Sequence, residues 1–291
     1  MTSERQLTNL VNEALAIQNQ ETKEAGALGF TARSLVQATM PHSKPKEIYF
    51  SRKNGDLTVS MIADPEIGLP YGSIPRLLLA WMTSEVVKKD NREIILGRSL
   101  NAFVETIGLI PSGGRLGTTP RVKDQMMRLF ACTVSCVYKN NEEMGIKKIS
   151  PVEEAYVWWN PKRPDDPVLF ESKIILSEAF YNEIKSFPVP LDIRVLKALK
   201  GSPMALDIYS WLTYRMSYLH RDTAITWEGL QMQFGAEYKE LKTFKFNFLK
   251  HMKAVLFLYP EAKVLSTEQG LLLRPSPTHV KAIENKHTST Q

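Results

Sequence analysis

The stretch EYKELKTFKFNFLKHMKAVLFLYP (237–260) decides how this 291-residue chain is read. At about 100° per residue, Leu241, Phe244, Phe248, Met252, Val255 and Leu256 gather on one stripe, so a helix over 238–258 is expected to bury that side. Lys239, Lys242, Lys250 and Lys253 fall on a separate, narrow face, and Phe246 lies within it. Cations spaced along one face offset successive phosphates of a nucleic acid. The N-terminal part of such a helix, with Glu240, Lys242, Thr243 and Phe246, is then available to base edges. The plainer alternative is that the lysines only solubilise the helix and Phe246 packs on a neighbouring element.

The flanks turn this helix into a domain. Helical segments at 191–199 and 202–219, a short strand at 224–226 and a helix capped by Thr226 precede it, and 262–276 reads as a β-hairpin. Helix, strand, helix, helix, hairpin is the order of a winged helix, whose third helix enters the major groove. The same order occurs earlier: a helix from about residue 74, the strand REIILG (92–97), a helix capped by Ser99, a further helix to about Tyr138, and β-type segments at 145–159 and 166–177. A short helix and a proline-bearing linker (178–190) join the halves, and the Asn54-Gly55 turn within 47–63 is a strong hairpin signal. Helices are also expected at 4–20 and near 30–39. The fold class is therefore α+β, two tandem winged-helix domains behind a small N-terminal extension. The boundaries are 1–65 for the extension with its hairpin, 66–186 for winged helix 1, 187–280 for winged helix 2, the main DNA-binding domain, and 281–291 for a polar tail.

The glycine-rich stretch PSGGRLGTTPRVKDQMMRLFAC (111–132) lacks the Gly-Lys pair of a nucleotide-binding phosphate loop. It fits a helix start instead, with Thr119 as N-cap and Pro120 at the first helical position. Its backbone amides are candidates for a phosphate oxygen. Arg115, Arg121, Lys123 and Arg128 are candidate phosphate contacts. Met127 and Val134 fall outside the apolar stripe, which suits a protein interface and a homodimer in the free form.

Composition narrows the alternatives. Net charge is +6, and residues 191–291 hold 14 Lys and Arg against 9 Asp and Glu, whereas residues 1–190 are nearly balanced at 23 against 22. That asymmetry favours a polyanionic partner for the second half. No run of about 18 apolar residues and no signal peptide are visible, so a cytoplasmic protein without a membrane partner is expected. Cys132 and Cys136, four apart on one expected helix, suit core packing. The five histidines are scattered, and the sequence holds no His-x-His pair, no HExxH and no nucleophile elbow; no metal, cofactor or catalytic residue is assigned.

Residues 68–136, with PYGSIPRLLLAW and GGRLGTTPRVKDQMMRL, resemble the plasmid-encoded RepA replication initiators of theta-replicating, broad-host-range plasmids, and the resemblance continues through 159–215. It implies binding to iteron repeats in double-stranded origin DNA, opening of adjacent AT-rich DNA, and recruitment of the host initiator and replicative helicase. It also implies that the second winged helix makes the strongest contacts. A winged-helix transcriptional repressor without origin-opening activity is the alternative.

Overall fold

The computed structural model describes residues 10–280 except 12, 13, 16, 18–20, 23, 161 and 236. The helix expected over 4–20 falls largely outside these residues, and the tail 281–291 wholly so.

The chain mixes helix and sheet, as the α+β assignment requires. Residues 10, 11, 14, 15 and 17 are helical, and β1 (Leu28–Ala32) and α1 (Arg33–Gln37) come after them, so the helix expected near 30–39 is five residues long and its start is a strand. The hairpin β2 (Tyr49–Asn54) and β3 (Leu57–Ile62) turns at Asn54-Gly55, with Gly55 at φ 58°, the left-handed geometry that favours glycine. Next come α2 (Ser73–Lys89), β4 (Glu93–Gly97), α3 (Leu100–Thr106) and α4 (Thr118–Ala131). Ser99 caps α3, its Oγ accepting from the Ala102 amide.

One expectation fails in this region. The helix expected to reach Tyr138 stops at Ala131, and β5 (Thr133–Lys139) follows, paired with β6 (Met144–Lys148). These strands join the earlier hairpin in a sheet ordered β2-β3-β5-β6. Cys132 and Cys136 therefore share no helix; both are free thiols, pushed up to about 12 chiefly by burial. The segment 145–159 divides between β6 and β7 (Val152–Tyr156), two strands of different sheets.

With β5 and β6 set aside, the first half repeats the plan of the second. β8 (Ser172–Leu176) lies between β4 and β7 in an antiparallel sheet. After α5 (Glu178–Ser186), the expected linker is strand β9 (Pro188–Asp192), paired with β1. Then follow α6 (Ile193–Leu199), α7 (Pro203–Met216), β10 (Thr223–Thr226), α8 (Trp227–Phe234), α9 (Leu241–Leu258), β11 (Val264–Ser266) and β12 (Gly270–Leu273). The sheet order β10-β12-β11 matches β4-β8-β7, the last strand lying in the middle each time.

Two hydrophobic cores underlie these units. One gathers buried residues between Ala32 and Ile184, including Met82, Phe103, Val122 and Phe180. The other gathers Tyr209, Trp211, Phe244 and Phe248 and takes in Leu77 and Ala80 of α2. Charge crosses the seam as well. Arg76 on α2 donates from Nε and Nη2 to the two carboxylate oxygens of Asp207 on α7, each at 2.6 Å, and both side chains are buried. His42 Nε2 donates to the same carboxylate at 2.8 Å. Burial alone would raise the Asp207 carboxyl; the Arg76 charge and the His42 hydrogen bond outweigh it and hold it below the usual carboxylate range.

Candidate nucleic-acid interface

Helix α9 is fixed to the second core by every fourth or third residue: Phe244, Phe248, Met252, Val255 and Leu258 are buried. Rings lock it in place, with Phe248 5.4 Å from both Phe234 and Phe244 and 6.2 Å from Trp227. The turn from α8 must pass very close, because a Cβ on Gly235 would lie 2.3 Å from the Phe244 ring. Glycine at this point lets α8 and α9 cross with little linker between them.

The opposite side of α9 is open. Lys242, Thr243, Phe246, Lys250 and Lys253 are all exposed, as are Lys239 and Glu240 just before the helix. The helix begins at Leu241, so Lys239 extends the row from the preceding turn and is not on the helical face itself. Phe246 is 71% exposed, so most of its ring is not covered by a neighbour, as the plainer alternative would require. Lys245 does not join the row. It is half-buried with Nζ 4.8 Å from the Trp227 ring centre, a cation held on an aromatic face. Asn247 donates from Nδ2 to the Thr243 carbonyl, and Thr243 Oγ1 donates to Glu240 at 3.4 Å. His251 lies 3.1 Å from Ser202 Oγ, and burial, then Lys250, lowers its imidazole pKa.

Beside this face, a groove of about 570 Å³ runs between α9 and the β11–β12 hairpin, with Phe246, Leu249, Leu256, Val264 and Leu271 in its walls. The hairpin is tied down where Trp227 Nε1 donates to the Thr267 carbonyl at 3.2 Å. Its tip carries Glu268 and no lysine, and the cations beside it, Lys263 and Arg274, lie at its base, with Arg274 3.4 Å from Asp222.

The candidates on the first core fare differently. Arg115 and Arg121 are exposed and Lys123 is half-exposed. Arg128 is committed: its side chain is only 14% exposed, Nε donates to Asp124 at 2.8 Å, and the guanidinium lies 5.7 Å from the Tyr71 ring. The surface expected at Met127 and Val134 is also corrected. Val134 is wholly buried in β5, and Met127 is partly buried against the first core. Helical spacing does not apply to Val134, because α4 ends before it and a strand puts alternate residues on opposite faces. Gln125 is buried and accepts the Tyr71 amide through Oε1.

The glycine-rich turn is occupied by its own chain. α4 starts at Thr118 with Gly117 as N-cap, two residues earlier than expected. Ser112 Oγ takes the Thr118 amide at 2.8 Å and the Ser112 carbonyl takes that of Thr119 at 3.2 Å, while Pro120 has no N–H. The Gly117 amide donates to the Gly114 carbonyl at 3.0 Å, so all four positions of the helix start are accounted for, and the phosphate role expected of them is withdrawn. A Cβ on Gly117 would lie 2.2 Å from the carbonyl oxygens of Ser112 and Gly113, so the turn closes only around glycine.

The charged seam between the two cores was not expected from the sequence. Its signal was a lone charge inside each of two apolar helical runs: Arg76 in IPRLLLAWM and Asp207 in PMALDIYSWL. A charge on a buried stripe calls for a partner of opposite sign.

Among the described residues no group of three or more His, Cys, Asp or Glu is placed to hold a metal, and no helix is long and apolar enough to cross a membrane. Residues 69–229, over half of the chain, match the family described as plasmid encoded RepA protein. In fold the chain is similar to the crystal structure of selenomethionine derivatives of domains 2 and 3 of RctB, with 12% identity and a TM-score of 0.53, covering 83% of this chain and 98% of that one. A second crystal structure of RctB domains 2–3 is 11% identical with a TM-score of 0.48, covering 82% and 94%. No curated protein matches the sequence.

Proposed function

Because this chain belongs to the family of plasmid-encoded RepA proteins, we propose that it is a non-enzymatic replication initiator acting on double-stranded plasmid origin DNA in the bacterial cytoplasm. Its two units are tandem winged helices, 66–186 and 187–280, and α9 is the principal DNA reader. The observation that carries this is the α9 surface: an exposed cationic row on a helix locked to its core from the other side. The matching strand orders of the two three-stranded sheets support the tandem arrangement. Arg115, Arg121 and Lys123 supply backbone contacts from the first unit, with Arg128 held in reserve by Asp124. Several copies bound to iteron repeats strain the adjacent AT-rich DNA, and the host initiator and helicase are recruited there. The free protein is a homodimer. With Val134 in the core, its pairing surface is β6, which is exposed along its length at the end of its sheet.

The test is a salt titration of binding to origin and random DNA. Replacing Lys242 and Lys250 with alanine should weaken both and reduce the salt slope by about one unit for each phosphate no longer neutralised. An unchanged slope in a folded variant moves the interface away from α9.

A further inference from the structure

Phe246 stands at the centre of the solvent side of α9, directly opposite the stripe formed by Phe244, Phe248, Met252 and Val255. It is 71% exposed, with Lys242 a turn before it, Lys250 a turn after, and Lys253 beyond. A single exposed apolar residue is ordinary on a surface, but this ring stands within a row of lysines and beside an apolar groove, so the apolar group and the cations form one surface. The polar neighbours that would otherwise read bases are engaged within the chain: Asn247 Nδ2 donates to the Thr243 carbonyl and Thr243 Oγ1 donates to Glu240. The ring lies at the edge of the groove beside α9 with most of its surface open, and among the described residues no other aromatic ring pairs with it.

A ligand for this surface must offer anions around an apolar group. The major groove does so, with phosphates along both walls and, on its floor, one apolar substituent among the base edges, the 5-methyl of thymine. We propose that Phe246 is a specificity-determining residue that reads thymine methyl groups in the major groove. The proposal rests on α9 being the DNA reader. The flanking lysines position the helix on the backbone, while the ring sets which steps it prefers.

Uracil differs from thymine only by that methyl. Origin DNA of the plasmid encoding this chain is amplified with either dTTP or dUTP, and the affinities of wild type, Phe246→Ala and Phe246→Leu are measured at one salt concentration. Burying a methyl favours binding by about fourfold, so wild type should prefer the thymine fragment by about fourfold for each methyl contacted. Phe246→Ala should bind both fragments equally, and Phe246→Leu should keep part of the preference. A wild type that does not discriminate, or a Phe246→Ala protein with the wild-type ratio, overturns the proposal. The Lys242 and Lys250 variants separate the two failures. If they lower the salt slope while methyl discrimination is absent, only the role of Phe246 falls; if the slope is unchanged, α9 is not the reader.

Discussion

Replacing Asp207 with alanine tests whether the two halves are held by charge as well as by apolar packing. Arg76 is 7% exposed and Asp207 8%, so the substitution strands a guanidinium away from water. Removing one partner of a buried pair costs about 3–5 kcal/mol. The lower end applies here, because Arg76 still donates to the carbonyls of Met40 at 2.7 Å, Gly72 at 2.6 Å and Pro41 at 3.2 Å. A loss of about 3 kcal/mol is a large share of the 5–15 kcal/mol that holds a typical domain. Urea unfolding followed by tryptophan fluorescence measures it, since Trp81 lies in α2 and Trp211 in α7. The paired variant Arg76→Met with Asp207→Leu should recover most of the loss, as apolar replacements of buried ion pairs commonly do. An Asp207→Ala protein within about 1 kcal/mol of wild type would refute the reasoning, because that is the range of an exposed pair.

Acidification should destabilise the protein from about pH 6.5 downward. Burial lowers the imidazoles of His42, His251 and His279 below the ordinary value of about 6.5, so in that window the unfolded chain binds more protons and stability rises with pH. His42 faces Asp207, Arg76 and Arg52, and a His42→Gln protein should lose less stability than wild type between pH 7 and 5.5 in urea titrations. The carboxyls of Asp192 and Asp207, both held low, add a second loss once the pH falls below about 4. Gly235→Ala should cost about 1–3 kcal/mol by overpacking against Phe244 and weaken DNA binding through the displaced start of α9, measured by thermal melting and a gel-shift titration. Met127→Glu should lower the melting temperature by charging the edge of the first core, and dimers seen by ultracentrifugation at the same protein concentration should persist.

The second half was legible because each element carries its own local signal. Thr226 caps α8 through the Gly229 amide, Gly235 ends it, and apolar spacing along α9 is unbroken until Pro260. The first half hid a strand inside a helical pattern. Thr133 and Val137 continue the 3.6-residue stripe of α4 by coincidence of spacing, while the β-branched run of Thr133, Val134 and Val137 was the opposing signal. The prolines of β9 suggested a linker, yet Pro188 and Pro190 sit in a two-stranded ladder with β1, where a missing donor does little harm. At the site, exposure of Lys242, Lys250 and Lys253 followed from periodicity alone. The commitment of Arg128 to Asp124 and of Lys245 to Trp227 did not, because each depends on the way a side chain turns once its helix is in place.

Permanganate reactivity of unpaired thymines on supercoiled origin DNA, with host initiator present, tests the central claim most directly. The wild-type protein should produce a reactive patch beside the repeats, and the variant lacking Lys242 and Lys250 should not at the same concentration. Full occupancy of the repeats without any patch, together with repression of a neighbouring promoter, would contradict initiation and favour a repressor.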